Sequence, residues 1–528
     1  MLQINNNRVE IDEDIATSKI KFCRKYGIKE KDISYFELAK KSIDARDKND
    51  IFYICSYYVD GNFKINHKLE KQAKKINRED IEMRLPFGHL NSQYRPIIIG
   101  CGPSGLFAAY SLAKQGLNPI LFERGKDVDQ RTKDIDEFFD NHELHFDSNV
   151  QFGEGGAGTF SDGKLMTSSN DKNIRMLLNE FVDAGASKDI LYLAHPHIGS
   201  DKLKEVVRNI RFKIKNLGGE VFFEHKLVDF VVKDDVVYVD IEHKGNMKTF
   251  ATKDLVLALG HSARDTFEML YQKNLFIEQK SFAMGLRIEH LQEFINKCQY
   301  GNFASRLPAA EYKFVEHLDD GRICYSFCMC PGGEIMASTS EYMGNVTNGM
   351  SYYARDSKFA NSAMLVNVNK EDFESNHPLA GVYFQQKYEH LAYSLCNGYD
   401  LGCQNVIDFI NDKVSTTLPF VDNCRMSHKF VNLNQCLPYF VCNSLKNGLM
   451  KIDHRVPGFI NNAILYGIES RTSSPIRMTR DENYQSISHK HIYPIGEGAG
   501  YSGGITTSAL DGIRCARHII SQYEGGNN

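Results

Sequence analysis

The length and composition of the chain indicate a multidomain globular protein. It has 528 residues, of which 42% are hydrophobic and 25% are charged, and a net charge of −4, all ordinary values for folded proteins. No apolar run approaches the roughly 20 residues of a membrane-spanning helix, which argues against a membrane protein. Thirteen cysteines spread over so long a chain argue against a small disulfide-dense secreted fold and predict reduced thiols. The N-terminal sequence has no signal-peptide pattern, so we expect a cytoplasmic protein.

The first segment, residues 1–92, is predicted to be a small α+β accessory domain followed by a linker. "IDEDIATSKIKFCRKYG" favours a helix, "ISYFELAKKSID" a strand or mixed segment, and "DIFYICSYYVDG" a strand. The polar stretch "NHKLEKQAKKINREDIEM" is predicted to be a linking helix. Lys and Arg outnumber Asp and Glu in this segment. That excess indicates either a surface for RNA or an acidic partner or, more simply, solvated helix surfaces.

The rest of the chain alternates strands and helices, with one interruption. Residues 93–280 show this alternation, which is typical of a parallel sheet, and "KLVDFVVKDDVVYVDIEHKGNMKTFATKDLVLALG" predicts a three-stranded meander followed by another sheet strand. Residues 281–455 lose the regularity and mix short strands with helices. The alternation returns over residues 456–528. The simplest interpretation is one nucleotide-binding domain interrupted by an inserted domain.

Residues 96–125, "PIIIGCGPSGLFAAYSLAKQGLNPILFERG", predict a strand, a glycine-rich turn, a helix and a second strand. Gly100 permits a tight turn, Gly102 lets the backbone approach a pyrophosphate, and Gly105 lets the helix pack closely on the sheet. The N-terminus of that helix directs free N–H groups toward phosphates. Glu123 ends the second strand, where a carboxylate accepts hydrogen bonds from an adenosine ribose and repels a 2′-phosphate. The ligand predicted here is a dinucleotide, either FAD or NAD(H).

Two later segments favour FAD over NAD(H). "HIYPIGEGAGYSGGITTSALDGIRCARHII" predicts a strand, a Gly-Glu turn and a helix that begins with small residues. The positive end of such a helix suits the pyrimidine side of a flavin ring, where reduction develops negative charge, and Glu497 would accept hydroxyl groups. "DLVLALGHSARDT" matches the strand that passes under the dinucleotide in flavoproteins. NAD dehydrogenases need only the first glycine-rich segment.

The chain resembles the FAD-dependent proteins often labelled "NAD(FAD)-utilising dehydrogenases", whose FAD domain is similar to that of glutathione reductase. The matching stretches are "SIDAR", "IIIGCGPSGLFAAY", "NVQFGEGGAGTFSDGKL", "LALGHSARDT", "GLRIEH", "YSFCMCPGG", "GIESRTSSPIR" and "YPIGEGAGYSGGI". They run from residue 42 to beyond residue 500. The implied fold class is α/β, with a Rossmann-type FAD-binding domain made of a parallel sheet and a β-meander, a large inserted α+β domain and a small N-terminal α+β domain.

The resemblance also implies which residues hold FAD. The pyrophosphate would lie on the glycine-rich turn, and Glu123 with Arg124 would hold the adenosine end, near the backbone of Val228 in the meander. The isoalloxazine would lie beside residues 152–164 and the C-terminal helix. The implied FAD contacts are Gly100, Gly102, Pro103, Ser104, Gly105, Glu123, Arg124, Gly155, Gly156, Thr159, Ser161, Lys164, Val228, Gly260, Gly496, Glu497, Gly503, Gly504 and Ile505.

The electron donor is not evident from the sequence. A redox cysteine pair after the first fingerprint and a second fingerprint for NAD(P)H are both absent from the sequence, so NADH or NADPH would act as a transient co-substrate, and a substrate or another redox protein is the alternative donor. Arg287, His290 and Arg471 flank predicted strand ends at the inserted domain. They would either line a cleft for a small, anionic substrate or form salt bridges at the domain junction.

Three cysteines and several histidines leave their roles open. Cys324, Cys328 and Cys330 are interpreted as structural thiols, as redox or substrate-contacting thiols that include a Cys328–Cys330 bridge, or as metal ligands. His142 and His145, and the histidines of residues 195–197, are interpreted as structural or solvent-facing. We predict no metal site, and the sequence identifies no catalytic residue.

The predicted function is that of an FAD-dependent oxidoreductase. It would transfer a hydride through flavin N5 to or from a small molecule bound between the FAD domain and the inserted domain, with no membrane partner and no nucleic acid. The alternative is a flavoprotein whose N-terminal domain binds RNA or a protein partner and whose FAD serves modification or regulation. In that case binding to RNA would fall steeply with salt.

Overall fold

The N-terminal unit is an antiparallel sheet with one helix packed on it. A computed structural model describes residues 1–167, 169 and 171–524 of the chain. The sheet order is β2-β3-β1-β4. The elements of this unit are β1 (Leu2–Val9), α1 (Ile15–Tyr26), β2 (Ile33–Asp44), β3 (Phe52–Gly61), α2 (His67–Glu70), β4 (Ala73–Lys75) and α3 (Arg78–Glu82).

Helix α1 follows from local capping and from its apolar face. The Asp14 side chain accepts a hydrogen bond from the Thr17 N–H at its start, and Gly27 ends it with φ at 66°, a left-handed conformation that suits glycine. Phe22 and Tyr26 point from α1 into the core of the unit. The backbone of Lys41 in β2 also exchanges two hydrogen bonds with residues 192–194, which docks the unit on the next domain.

The prediction of one linking helix over residues 66–83 was wrong. The segment forms the short helices α2 and α3 and, between them, strand β4, which pairs antiparallel with β1 at Leu2–Ile4. Strand β1 would otherwise present unpaired backbone groups along that edge, and pairing satisfies them. This long-range requirement outweighs the local helix propensity of the polar sequence.

The second unit is built on a five-stranded parallel sheet of order β23-β11-β5-β6-β7. Its first part carries β5 (Ile97–Ile99), α4 (Pro103–Lys114), β6 (Ile120–Phe122), α5 (Val128–Asn141), α6 (Ile174–Asp183), α7 (Ser200–Asn216), β7 (Glu220–Phe222), β8 (Lys226–Lys233), β9 (Val236–His243), β10 (Asn246–Thr252), β11 (Leu255–Leu257) and α8 (Arg264–Gln272).

This parallel sheet is apolar throughout because both of its faces are covered. Ile98 and Val256 face the helical layer, whereas Ile97 and Leu255 face the meander β8–β10. The three central strands read III, ILF and LVL for that reason, without polar alternation. The α/β fold class with a parallel sheet and a meander is confirmed.

The third unit is a mostly antiparallel seven-stranded sheet of order β14-β15-β18-β13-β21-β19-β20 with a separate hairpin β16–β17. Its elements, with β12 at its entrance, are β12 (Ile277–Gln279), β13 (Phe282–Leu291), α9 (Gln292–Tyr300), β14 (Val315–His317), β15 (Ile323–Cys330), β16 (Gly333–Ala337), β17 (Thr347–Ser351), β18 (Phe359–Val368), α10 (Ala380–Cys396), β19 (Leu401–Asn405), α11 (Val406–Ile410), β20 (His428–Phe430), α12 (Tyr439–Arg455) and β21 (Ile464–Glu469).

The chain then returns to the parallel sheet. Strand β21 lies between β13 and β19 in the seven-stranded sheet, so that sheet extends past residue 455, the predicted end of the inserted domain. The returning elements are β22 (Ile476–Met478), β23 (Ile492–Pro494) and α13 (Ile505–Glu524). Strands β12 and β22 pair antiparallel where the chain enters and leaves the third unit. In the part of the chain that the structure describes, every helix is too short or too polar to cross a membrane.

Candidate functional site

A cavity of about 380 Å³ lies where the carboxyl ends of the parallel strands meet the third unit. Its size is within the range of about 300–1,000 Å³ that is usual for small-molecule and cofactor sites. Most of the implied FAD contacts line it, namely Gly100, Gly102, Pro103, Ser104, Glu123, Arg124, Gly156, Ser161, Lys164, Gly260, Glu497, Gly503, Gly504 and Ile505. Ligands of open α/β sheets bind at this edge.

The glycine-rich turn follows β5 and leads into α4. A Cβ on Gly100, where φ is 102°, would lie 2.3 Å from the Ala258 carbonyl oxygen, and one on Gly105 would lie 1.9 Å from the Gly100 carbonyl oxygen. These two glycines therefore allow the turn and the helix to pack against the sheet. Gly102 differs, because a Cβ there would face the cavity, with the Gly156 Cα 3.9 Å away. Gly105 itself does not line the cavity; it supports the turn from behind.

Glu123 is buried beside this turn at the end of β6. One carboxylate oxygen accepts the Cys101 N–H at 2.8 Å, and the other accepts the N–H groups of Gly125 and Gly153 at 2.9 and 3.0 Å. Two carboxylate oxygens offer about four acceptor positions, so these three bonds leave capacity for one more donor from the cavity. The arrangement can accept a ribose hydroxyl group.

Arg124 borders the cavity, whereas Val228 does not. The Arg124 guanidinium donates to Asp265 at 2.9 Å and to Asp147 at 2.7 Å, so its polar groups are engaged within the protein while its side chain borders the cavity. Val228 does not line the cavity, although its neighbour Leu227 does. The register of β8 with β9 skips Val228, because Leu227 and Asp229 pair with successive residues of β9.

Residues 153–165 form one side of the cavity and a layer behind it. Gly155 and Thr159 lie in that second layer, where a Cβ on Gly155 would be 2.0 Å from the Thr159 hydroxyl oxygen. The Ser161 hydroxyl donates to the Gly158 carbonyl at 2.7 Å. Lys164 reaches across to the third unit, with Nζ 2.6 Å from Asp162 and 3.1 Å from Glu311. Burial opposes the charge of Lys164, but the carboxylates of Asp162 and Glu311 together outweigh burial and raise the lysine pKa.

The C-terminal segment closes the opposite side. Gly503 and Gly504 precede α13, and among the described residues no atom would lie within 4 Å of a Cβ added at either position or at Gly260. These glycines face open space in the cavity. Gly496 does not line the cavity, because it lies against α4, where its Cβ would be 2.5 Å from the Ser104 hydroxyl oxygen.

Glu497 is a carboxyl group in the cavity wall with an unusual pKa. Burial raises its pKa to about 7, and the Lys280 ammonium offsets this only in part. The pKa of Glu497 is higher in the folded chain than in the unfolded chain. Its contribution to the stability of the fold is therefore complete below the unfolded pKa and is lost as pH rises through 7.

We therefore expect Glu497→Gln to gain stability relative to the parent chain as pH rises from 5 to 8. The gain should be on the order of 2 kcal/mol, because a tenfold difference in proton affinity between the folded and unfolded chain corresponds to about 1.4 kcal/mol and partial exposure reduces the effect. Urea unfolding at both pH values without added ligand measures it. The exposed Glu482→Gln is the matched control, and an equal pH response in both variants would contradict the assignment.

The third unit supplies a wall that the implied contacts did not include. Its lining residues are Phe327, Cys328, Asn348, Glu469, Arg471 and Thr472. The stretches "YSFCMCPGG" and "GIESRTSSPIR" carry most of them, but Asn348 lies in neither. Further lining residues that sequence reasoning missed are Gln151, Phe152, Met166, His225, Leu227 and His261. Gln151, Phe152 and His261 lie in the matching stretches "NVQFGEGGAGTFSDGKL" and "LALGHSARDT", whereas Met166, His225 and Leu227 lie outside every matching stretch.

Arg287, His290 and Arg471 mainly form buried contacts at the junction. Arg287 bonds both Glu469 oxygens at 2.9 and 2.7 Å, and Arg471 bonds Glu389 at 2.7 Å while bordering the cavity. His290 is buried away from the cavity, with Nε2 2.9 Å from the Phe459 carbonyl oxygen. Both guanidinium groups are thus neutralised by carboxylates, which favours the salt-bridge interpretation over an anionic-substrate clamp.

The four histidines singled out in the sequence lie outside the cavity and contact protein groups. His142 lies 3.0 Å from the Ser427 hydroxyl and His197 lies 3.0 Å from the Tyr353 carbonyl oxygen, while His195 pairs with Glu311. His145 lies near Asp134 and Glu137, and their ligand atoms are within 4.8 Å of one another. Lys126 already contacts Asp134 at 2.8 Å. All thirteen cysteines are free thiols, so the bridge considered for Cys328 and Cys330 is not formed here.

The family of the chain is shown by a full-length relative. An uncharacterized protein of Clostridium beijerinckii is 44% identical over 541 aligned positions, which cover 99% of each chain. The chain belongs to the family of this protein. Residues 281–472 also match the family described as FAD-dependent protein, C-terminal domain-like, and residues 1–60 match a domain of unknown function, DUF8436. The first of these two matches supports an FAD-dependent flavoprotein.

Three solved structures are similar to this chain over 82% of its length. A triple mutant of the flavin-dependent brominase Bmp2 has 13% identity, a TM-score of 0.40 and 82% coverage of each chain. A flavoprotein/dehydrogenase from Cytophaga hutchinsonii has 11% identity and a TM-score of 0.33, covering 82% of this chain and 80% of that one. The flavin-dependent halogenase CmlS has 12% identity and a TM-score of 0.38, covering 82% and 60%. Identities and TM-scores are both low.

Proposed function

We propose that the protein is an FAD-dependent oxidoreductase whose cofactor lies in the cavity between the parallel sheet and the third unit. The observation that carries the proposal is the set of four glycines, Gly102, Gly260, Gly503 and Gly504, whose absent side chains would otherwise project into that cavity. They come from three separate segments of the chain. A cavity kept open by backbone on several sides fits a ligand that needs close backbone approach, as a dinucleotide does.

The polar groups around the cavity fit the parts of FAD in order. The N-termini of α4 and α13 both open on it, and their free N–H groups and positive dipole ends favour a pyrophosphate at one and negative charge near the ring at the other. Glu123 retains an acceptor position for a ribose, and Glu497 can accept a ribityl hydroxyl. When bound, FAD supplies two-electron transfer at its isoalloxazine ring.

The chain's own residues orient the cofactor and separate it from water. Phe152, Leu227 and Phe327 make apolar parts of the wall. Lys164 links the two units through Asp162 and Glu311, and Arg355 joins the same pair of carboxylates at 2.5 and 2.8 Å. This ion-pair network holds the third unit over the cavity. Asp162 is buried and the other three side chains are half-buried, so these bonds are screened less by solvent than fully exposed pairs.

The test begins with the purified full-length protein. We expect equimolar FAD, identified by mass after release from the denatured chain, and its absence both on purification and after reconstitution would overturn the proposal. An anaerobic titration with NADH and then NADPH, followed by the absorbance of oxidised flavin, decides the donor. Bleaching by either nucleotide would support the transient co-substrate, and a flavin that neither nucleotide bleaches would indicate a substrate or protein donor.

A further inference from the structure

Two thiols lie at the cavity wall contributed by β15. Cys328 is half-buried and lines the cavity, while Cys330 is buried two positions later. The pairing of β15 with β18 shifts between Phe327 and Cys330, and φ at Cys328 is 44°, a conformation that residues other than glycine rarely adopt. The shift interrupts the regular pairing of β15 with β18 at these two thiols. The Cys330 Sγ lies 3.3 Å from the Cys328 carbonyl oxygen.

The surroundings of the pair favour a thiolate at Cys328. Hydrogen bonding by the Cys330 thiol lowers the Cys328 pKa below the ordinary range of a thiol; burial acts in the opposite direction, and Arg287 and Lys164 add to the lowering, partly offset by Glu469. Arg287 Nη2 donates to the Cys328 carbonyl at 2.8 Å and lies 3.5 Å from the Cys330 Sγ. Thiolates rather than thiols are the nucleophiles of disulfide chemistry.

Cys324 on the same strand shows what an ordinary core thiol of this domain is like. It is fully buried, and burial raises its pKa to about 12. It packs in the apolar core with Leu445 and Leu449 of α12, away from the cavity. The Cys328–Cys330 pair differs from Cys324 in three respects. Cys328 lines the cavity, a second thiol lies two positions away, and the Arg287 guanidinium is adjacent.

We propose that Cys328 and Cys330 form a dithiol–disulfide couple that reduces a disulfide substrate. The Cys328 thiolate attacks one sulfur of the substrate disulfide, which forms a mixed disulfide and releases one substrate thiol after proton uptake. Cys330 then loses its proton and attacks the Cys328 sulfur, which releases the second substrate thiol and forms the Cys328–Cys330 disulfide. Two electrons and two protons thus pass to the substrate.

The return step needs a two-electron reductant. A small dithiol can supply the two electrons and two protons that restore both thiols, and reduced FAD would supply them if the proposed function holds. Only the supply of electrons by reduced FAD rests on the proposed function. The exchange between the couple and a disulfide requires the chain alone, so the two proposals can fail separately.

The test maps thiols in the purified full-length protein after exposure to defined ratios of reduced and oxidised glutathione. Free thiols are blocked with N-ethylmaleimide under denaturing conditions, and peptides are identified by mass. We expect a Cys328–Cys330 disulfide to appear as the oxidised fraction rises, while Cys324 stays alkylated. Cys330→Ser should accumulate glutathione on Cys328, Cys328→Ser should lose the disulfide completely, and the matched control Cys324→Ser should behave as the parent chain.

Mapping of the parent chain decides the outcome even if a variant fails to fold. Both thiols alkylated at every glutathione ratio would overturn the couple and indicate structural thiols. Protection of both thiols by added Zn²⁺, with no disulfide formed, would also overturn it in favour of a metal site. FAD content is measured on the same samples, so a disulfide without FAD contradicts only the proposed function, and FAD without a disulfide contradicts only the couple.

Discussion

Gly102→Ala should abolish tight binding of FAD while leaving the ligand-free chain nearly as stable as before. A methyl group at this position would enter the cavity, and the nearest protein atom would be the Gly156 Cα at 3.9 Å. It would keep a pyrophosphate from the backbone N–H groups that begin α4. Loss of two charge-assisted hydrogen bonds at about 1.5 kcal/mol each corresponds to a rise in Kd of about a hundredfold.

The matched control is Gly105→Ala, three residues further along. There the methyl group would lie 1.9 Å from the Gly100 carbonyl oxygen, a backbone atom, so the turn and α4 must move apart. We expect this variant to lose about 1–3 kcal/mol of unfolding free energy, whereas Gly102→Ala should lose less than about 1 kcal/mol. FAD titration and urea unfolding of both variants measure the two effects. Unchanged FAD affinity in Gly102→Ala would place the cofactor elsewhere.

The second large effect is expected at Glu389, which joins three parts of the fold. Its carboxylate, on α10, receives two hydrogen bonds of 2.8 Å from Arg264 at the start of α8 and others of 2.7 and 3.1 Å from Arg471 after β21. All three side chains are buried. Glu389→Gln would remove the carboxylate that two buried guanidinium groups share and leave them with Glu341, which lies 2.9 Å from Arg264 and 3.9 Å from Arg471. Breaking a buried ion pair costs about 3–5 kcal/mol.

This effect should depend on pH. Burial alone would raise the Glu389 pKa, but Arg264 and Arg471 outweigh it and hold the pKa well below its usual range. A lowered folded pKa contributes stability that is present above the unfolded value and is lost as pH falls toward the folded value. The advantage of the parent chain over Glu389→Gln should therefore shrink below about pH 4. Urea unfolding across pH measures it, and a variant as stable as the exposed Glu482→Gln would refute the role assigned to Glu389.

The sequence alone determined the elements whose signals are local. The strand–turn–helix around Gly100, Gly102 and Gly105 was predicted from residue spacing, because a tight turn and a close helix contact each demand glycine at a set position. The meander followed from apolar periodicity. The α/β class with a parallel sheet followed from the alternation of strands and helices along the chain.

The tertiary structure decided what depends on contacts between distant segments. Strand β4 formed in place of a predicted helix because the edge of β1 needed a partner. The pairing of Arg287 with Glu469 and of Arg471 with Glu389 joins residues 182 and 82 positions apart, and sequence spacing carries no sign of either contact. The cavity wall that the third unit contributes, including Asn348 and Cys328, also depends on contacts between residues that are distant in the sequence. Folding brings these side chains to the glycine-rich turn because burial of two apolar cores, and not any local motif, sets how the units meet.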